Sequence, residues 1–286
     1  PFLYVNASGR TDQERRGDMV KAIIMGAGGK MGGRIATIVN MTDGIEIAAA
    51  VEKAGHAVIG QDVGETLGLG KKGVPIAAGL ESVIGKGDVV IDFTHHDASM
   101  EHLRIAAENK KAIVIGTTGF TAEQMAKIKE IAPKTRCVLA PNMSVGVNVM
   151  FKVLETVTNI IGEDFDIEII EAHHNLKKDA PSGTAMKMAQ IIAAALERDL
   201  DKEAVYERKG MIGARTKTEI GIQTIRAGDI VGEHWIIYGG LGERLEFIHR
   251  AHSRDNFAKG AVRAAKWVVG QPNGFYDMQD VLGLKK

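Results

Sequence analysis

Val20-Lys-Ala-Ile-Ile-Met-Gly-Ala-Gly-Gly-Lys-Met-Gly-Gly-Arg-Ile-Ala-Thr-Ile-Val-Asn40 is the stretch on which the fold turns. Val20 to Met25 is a short apolar run ended by glycine and has strand character, and Gly33 to Asn40 has helical composition, so the sequence reads strand, glycine turn, helix. Gly26, Gly29 and Gly32 are spaced as Gly-x-x-Gly-x-x-Gly, and Gly28 also fills the ordinary second-glycine position of a dinucleotide fingerprint. Glycines here let main chain approach a pyrophosphate, and the helix start turns amide hydrogens toward it. Ile45 to Val51 reads as the second strand. Glu52 follows it, about twenty residues after Gly32, where an acid that binds ribose hydroxyls belongs. Lys30 within the turn and Lys53 beside Glu52 leave the cofactor open between NADPH and NADH. A 2′-phosphate calls for cations, whereas an unphosphorylated ribose prefers the acid.

Outward from this motif, Val89 to Phe93 and Ala112 to Ile115 read as further strands, entering the turns Thr94-His-His-Asp97 and Gly116-Thr-Thr-Gly-Phe120. In a doubly wound sheet such turns lie at the carboxyl ends of strands, which puts Phe93, Thr94, Gly116 and Thr118 where ribose or nicotinamide would be. His95 and His96, paired with no acid at metal spacing, read as an exposed turn rather than as ligands, and no metal is expected. Val138 to Ala140 is another short strand. The turn Pro141 to Asn148 then opens a long apolar helix that runs through Ile161.

The whole chain is consistent with small-molecule work. Its 286 residues suit one large or two ordinary domains, and 45% hydrophobic content is enough for real cores. The 36 basic and 36 acidic residues cancel, so no global field argues for nucleic acid or an anionic membrane. The longest apolar runs are far too short to span a bilayer. One cysteine, Cys137, leaves no internal disulfide and no cysteine metal cluster, fits a reducing compartment, and reads as a buried, inert thiol. Asn6 to Asp18 is polar and carries Arg10, Arg15 and Arg16, and no apolar segment of the signal-peptide kind lies between those charges and Met19, so a loose extension is expected over residues 1–18.

From Asp164 the pattern changes. Phe165 to Ile170 alternates as a strand does, Ala185 to Leu196 has helical composition, and between them lies Glu171-Ala-His-His-Asn-Leu-Lys-Lys-Asp-Ala-Pro-Ser-Gly-Thr184. Pro181 suits the first turn of the following helix, which would leave the amides of Ser182, Gly183 and Thr184 to hold a carboxylate. Two histidines and two lysines add proton-donating or positive groups, a combination suited to a small polyanion. Further on, Glu219 to Arg226, Val231 to Tyr238 and Glu243 to His252 read as strands joined by Ala-Gly-Asp and Gly-Gly-Leu-Gly turns, as in antiparallel hairpins. The helices at 145–161 and 184–197 can cover one face of the resulting mixed sheet. The other, with Trp235, Ile237 and Phe247, calls for a partner subunit, so a homo-oligomer is expected. Asn256 to Val269 returns to helix and takes the chain back to the nucleotide domain.

The fold class expected is α/β: a Rossmann-type doubly wound nucleotide-binding domain (19–144 and 255–286) plus an α+β substrate and oligomerisation domain with a mixed sheet (145–254). From Met19 to the end the sequence resembles the 4-hydroxy-tetrahydrodipicolinate reductase family, formerly called dihydrodipicolinate reductases. The segments that carry the resemblance are Gly26 to Gly32, Ile91 to Thr94, Gly116 to Phe120, Asn142 to Asn148, Glu171 to His174 with Lys177, Asp179 to Thr184, and Arg226 to His234. The resemblance implies an NAD(P)H-dependent reduction of a cyclic dicarboxylate in the diaminopimelate route to lysine, a cytoplasmic enzyme, and a homotetramer built through the substrate-domain sheets. It further implies that His173 is the proposed acid, that Lys177 binds substrate, and that His174, Ser182, Gly183 and Thr184 form the substrate cradle. For the cofactor it implies Gly26, Gly29, Lys30, Met31, Gly32, Glu52 and Lys53, then Phe93 and Thr94, with Gly116, Thr118, Asn142 and Met143 at the nicotinamide end. Some members carry arginines where this chain has Lys30, Lys53 and His95, and some carry a further histidine where Leu176 stands.

His173 can be partly protonated near neutral pH and suits a general acid, whereas Lys177 suits either an electrostatic role or proton donation. Three rivals predict different results. A different oxidoreductase, such as an amino-acid dehydrogenase, would share the glycine turn but not Glu171 to Thr184. A hydrolase using His173, His174 and Glu171 would contain metal, and a non-catalytic sensor would bind cofactor without turnover.

Overall fold

The first strand, β1 (Val20–Met25), divides its side chains between two apolar cores: Ala22 and Ile24 enter one, Ile23 and Met25 the other. A continuous apolar run makes such a strand when helices flank the sheet on both sides. The computed structural model describes residues 19–285, and the loose extension expected over 1–18 lies outside them. Five more strands follow: β2 (Ile45–Glu52), β3 (Ile76–Ala78), β4 (Val89–Asp92), β5 (Ala112–Ile115) and β6 (Arg136–Leu139). Between them come α1 (Lys30–Asn40), the short α2 (Val63–Thr66), α3 (His96–Glu108) and α4 (Ala122–Ile131). Thr121 and Gln124 close a reciprocal cap at the start of α4. Helix α1 begins at Lys30, not Gly33, so two glycines lie inside it. Gly32 must be one: a side-chain carbon there would stand 2.0 Å from the Gly26 carbonyl oxygen.

The next segment forms α5 (Val145–Ile161), β7 (Asp166–His173), α6 (Gly183–Ala195), α7 (Leu200–Glu203), β8 (Ala204–Val205), β9 (Ile220–Arg226), β10 (Gly232–Gly239) and β11 (Arg244–Ala251). Its five-stranded sheet runs β11-β10-β7-β9-β8. Strands β10 and β11 form the expected hairpin, but β9 and β10 do not, because β7 lies between them, parallel to β9 and antiparallel to β10. The connection 227–231 therefore crosses the carboxyl end of β7, where Ala227 N–H donates to the His173 carbonyl. Ile167, Ile169, Ile222, Ile236 and Tyr238 pack under α5 and α6 with Leu154, Met188 and Ile192. Phe247 belongs to this covered face rather than the open one. It pairs with Ile236 and sets its ring edge-on to Tyr238 at 6.0 Å. Trp235 and its neighbours in register, Ile170 and Ile248, stay on the open face with Ile237.

The chain closes with α8 (Asp255–Val268), β12 (Gly274–Tyr276) and α9 (Met278–Val281). Strand β12 pairs in parallel with β6 and completes a seven-stranded sheet, β12-β6-β5-β4-β1-β2-β3, whose first-to-sixth strand order is that of a doubly wound dinucleotide fold. Helices α1 and α8 supply one of its cores, with Ile35 and Ala261, and α3 and α4 the other, with Leu103 and Ile128. Cys137 lies in that second core, and burial pushes its thiol pKa up. By contacts the chain divides into two compact units, 19–143 with Phe257–Lys285, and Ser144–Asn256. Among the described residues no helix is long and apolar enough to cross a membrane.

Candidate active site

In the first unit the sequence-selected residues gather at the carboxyl ends of the strands. Gly26 takes a φ of +63°, which turns the chain sharply out of β1. The N-cap of α1 is Gly29, with no side-chain cap, and the first turn of the helix holds no acidic residue. The helix start is thus left open to an external anion. Glu52 is 9% exposed at the end of β2. One of its carboxylate oxygens accepts from Gly28 N–H at 3.0 Å and the other from Lys53 N–H at 3.0 Å, so the acid braces the glycine turn itself. Lys30 and Lys53 are exposed, and Met31 is partly buried against the α1 core. These features fit a dinucleotide: main chain close to the turn, an uncapped helix start, and an acid at the second strand.

The neighbouring strand ends are equally ordered. The Phe93 ring lies over Gly116, where a side-chain carbon would fall 2.2 Å from it. Thr94 donates its N–H and its hydroxyl to Asp92 at 2.9 and 2.6 Å, and His102 Nδ1 stands 2.7 Å from the other oxygen of that buried carboxylate. Thr118 is exposed, whereas Thr117 is buried and accepts from the Ser99 hydroxyl at 2.8 Å. Asn142 is partly buried beyond β6. Met143 is 1% exposed within the core, so its side chain is committed to packing and only its main chain is left to meet a ligand. One expectation fails here. Asp97 comes within 3.4 Å of His95 Nδ1 and 3.1 Å of His96 Nδ1, so an acid does accompany the pair, because all three residues share the turn that starts α3. His56, whose ring would lie 2.9 Å from a side chain at Gly28, had no signal in the spacing, and neither did Asp92.

In the second unit, β7 ends in Glu171, Ala172 and His173. Glu171 is fully buried. Its Oε1 accepts from Ser182 N–H at 3.0 Å, the Thr224 hydroxyl at 3.3 Å and Arg226 Nη2 at 2.8 Å. Its Oε2 faces Arg226 Nη1 at 2.8 Å and His173 Nδ1 at 2.6 Å. Burial works against ionisation, but the hydrogen bonds from His173 and Arg226 outweigh it and hold the carboxyl down to about 2. The Ser182 amide is therefore not available to a substrate carboxylate, contrary to expectation. Ser182 is the N-cap of α6: its hydroxyl accepts from Ala185 N–H at 3.2 Å, which places Pro181 before the helix rather than in its first turn. Gly183 opens the helix with free space within 4 Å of its missing side chain, and the partly buried Thr184 follows.

Lys177 Nζ grips both oxygens of Asp179 at 2.9 Å and keeps that carboxyl below its usual range. His174 is partly buried, and its Nδ1 has no hydrogen-bond partner among the described residues. His234, whose ring centre lies 5.4 Å from that of His173, has its pKa pushed down to about 3, first by burial and then by His173, so it stays neutral. His173, Lys177, His174 and the start of α6 are thus brought together. Arg226 and His234, which stood in the sequence only as the ends of a segment without an assigned role, join them from β9 and β10, with Thr224, which carried no signal at all.

Comparison with known proteins identifies the family to which both halves belong. The family model for the dihydrodipicolinate reductase N-terminus matches residues 20–143, and that for its C-terminus matches residues 146–282. A 4-hydroxy-tetrahydrodipicolinate reductase of Syntrophus aciditrophicus is 61% identical over 93% of this chain and 100% of its own length. One of Desulfotalea psychrophila is 57% identical over 93% of this chain and 99% of its own. The structure of a dipicolinate-bound dihydrodipicolinate reductase from Paenisporosarcina sp. TG-14 superposes with a TM-score of 0.73 at 31% identity, covering 92% of this chain and 98% of that one. A myo-inositol dehydrogenase from Lactobacillus casei, with a TM-score of 0.60 at 15% identity over 92% and 90% of the two chains, shares the fold alone. With both halves matched, and relatives this similar along their full length, the chain belongs to the dihydrodipicolinate reductase family.

Proposed function

We propose that this chain reduces 4-hydroxy-tetrahydrodipicolinate to tetrahydrodipicolinate in the cytoplasm, in the diaminopimelate route to lysine, with His173 as general acid. As a member of its family it is an oxidoreductase that uses NAD(P)H. The nicotinamide, when bound, supplies the hydride. In the first unit, the Gly26 to Gly32 turn and the open start of α1 would hold the pyrophosphate and Glu52 the ribose, with Phe93, Thr94, Gly116, Thr118 and Asn142 around the nicotinamide end.

The reduction adds a hydride to carbon and a proton to the centre that becomes negative, and the substrate hydroxyl leaves as water together with a hydrogen from the adjacent ring carbon. One observation above all supports the assignment of roles. His173 ends β7 with only 13% of its side chain exposed, in the same unit as Lys177 and Gly183, which opens α6 with free space within 4 Å of its missing side chain. Lys177, by exchanging Asp179 for a substrate carboxylate, and the Gly183 and Thr184 end of α6, with His174, would bind the two carboxylates. His173 would deliver the proton.

A coupled assay with freshly generated substrate tests this, following NADH and NADPH oxidation side by side. Turnover with either nucleotide is expected; none with both would overturn the proposal. The open sheet face with Ile170, Trp235, Ile237 and Ile248 supports a homotetramer, for which light scattering should return four times the 30.7 kDa chain mass.

A further inference from the structure

We infer that Glu171 is the positioning residue of the reaction: it fixes the tautomer of His173 and ties the proton donor to the start of α6. The inference rests on His173 being the proton donor. Residues two apart on a strand share a face, so Glu171 and His173 stand side by side on β7, with Oε2 and Nδ1 at 2.6 Å. An ionised carboxylate only accepts, so Nδ1 must carry the hydrogen. Once the imidazolium has given up a proton, the one it keeps is on Nδ1, and the one it transfers comes from Nε2. That nitrogen lies over Gly232, 3.1 Å from where a side chain would begin. The geometry thus names the reacting nitrogen, which the sequence did not.

The rest of the carboxylate is arranged to keep it an acceptor. Arg226 grips it with a two-pronged contact, Nη1 to one oxygen and Nη2 to the other, both at 2.8 Å, and is itself anchored on the Asp179 carbonyl at 2.6 Å. A fork of this kind balances the buried charge and sets the plane of the carboxylate, and with it the direction in which the imidazole is held. The Ser182 amide and the Thr224 hydroxyl occupy the remaining positions on Oε1. Because Ser182 also caps α6, one buried group orients both the proton donor and the helix start that faces the substrate.

The test combines a spectrum of the unaltered chain with a mutant cycle. Nitrogen-15 NMR of histidine-labelled protein should find neutral His173 protonated at Nδ1; protonation at Nε2 would overturn the inference without any variant having to fold. E171Q should lower kcat about tenfold or more and leave the KM for the nicotinamide nucleotide within about twofold. In the H173Q background the same substitution should cost nothing further, because the carboxylate acts through the imidazole. An undiminished cost in that background would mark Glu171 as a general structural support and defeat the inference. Near-normal turnover of H173Q alone would instead remove the proton-donor assignment on which the inference stands.

Discussion

The carboxyl edge of the seven-stranded sheet and the carboxyl end of β7 are both strand ends, yet they hold their functional groups by different means. The first works mostly through main chain: a glycine turn, an uncapped helix start, and an acid whose hydrogen bonds are to the amides of Gly28 and Lys53. The second works through side chains, with Glu171, His173, Thr224 and Arg226 converging on one buried charge. A main-chain site tolerates side-chain change but not added bulk. A side-chain network tolerates modest bulk but not the loss of a single donor or acceptor.

The largest expected contrast comes from H173Q, which should lower kcat by about two orders of magnitude while nucleotide affinity, followed by titrating NADPH fluorescence, hardly changes. A parallel loss of affinity would break the distinction between the two sites. Acid should come next. The Glu171 carboxyl is lowered from 4.5 to about 2 on folding, so the folded chain binds this proton less tightly than the unfolded one. Its stabilisation is complete above the unfolded value and fades as pH falls toward 2, a loss on the order of 2 kcal/mol once shared hydrogen bonds are discounted. Thermal unfolding followed between pH 5.5 and pH 3 should show the decline, and E171Q should show less of it.

Much of the main-chain site was legible in the sequence because its parts are contiguous: Val20 to Met25, the turn and Glu52 lie within one strand–helix–strand unit. The side-chain site was only half legible. His173, Lys177 and Ser182 lie in one segment with Glu171, but its other partners come from positions 224 and 226, and only the pairing of β7 with β9 brings them in. The same pairing misled the hairpin expectation, since a five-residue connection such as 227–231 suits a tight hairpin and a crossing over one strand equally well. Phe247 was assigned to the wrong face for a related reason. Leu245, Phe247 and Ile248 offer apolar groups to both sides of β11, and only the register with Ile236 decides between them.

Two smaller effects sharpen the comparison from the nucleotide side. Gly32→Ala, which forces a carbon to 2.0 Å from the Gly26 carbonyl oxygen, should weaken nucleotide binding about tenfold and leave the His173 tautomer unchanged by NMR. Lys53→Ala should shift only the ratio of NADPH to NADH affinity, by about threefold against NADPH, as expected for one exposed cation near a 2′-phosphate. A change in kcat from that substitution would show that the first unit reaches the chemistry through more than cofactor binding.

Cys137, sealed in the core beside β5 with its thiol pKa raised, has a practical consequence. Reagents that attack thiolates find almost none at that position, so the native chain is already a silent background for labelling. One cysteine introduced at an exposed position of each unit would therefore accept a fluorophore pair without any prior substitution, and energy transfer between them could follow the two units through a catalytic cycle.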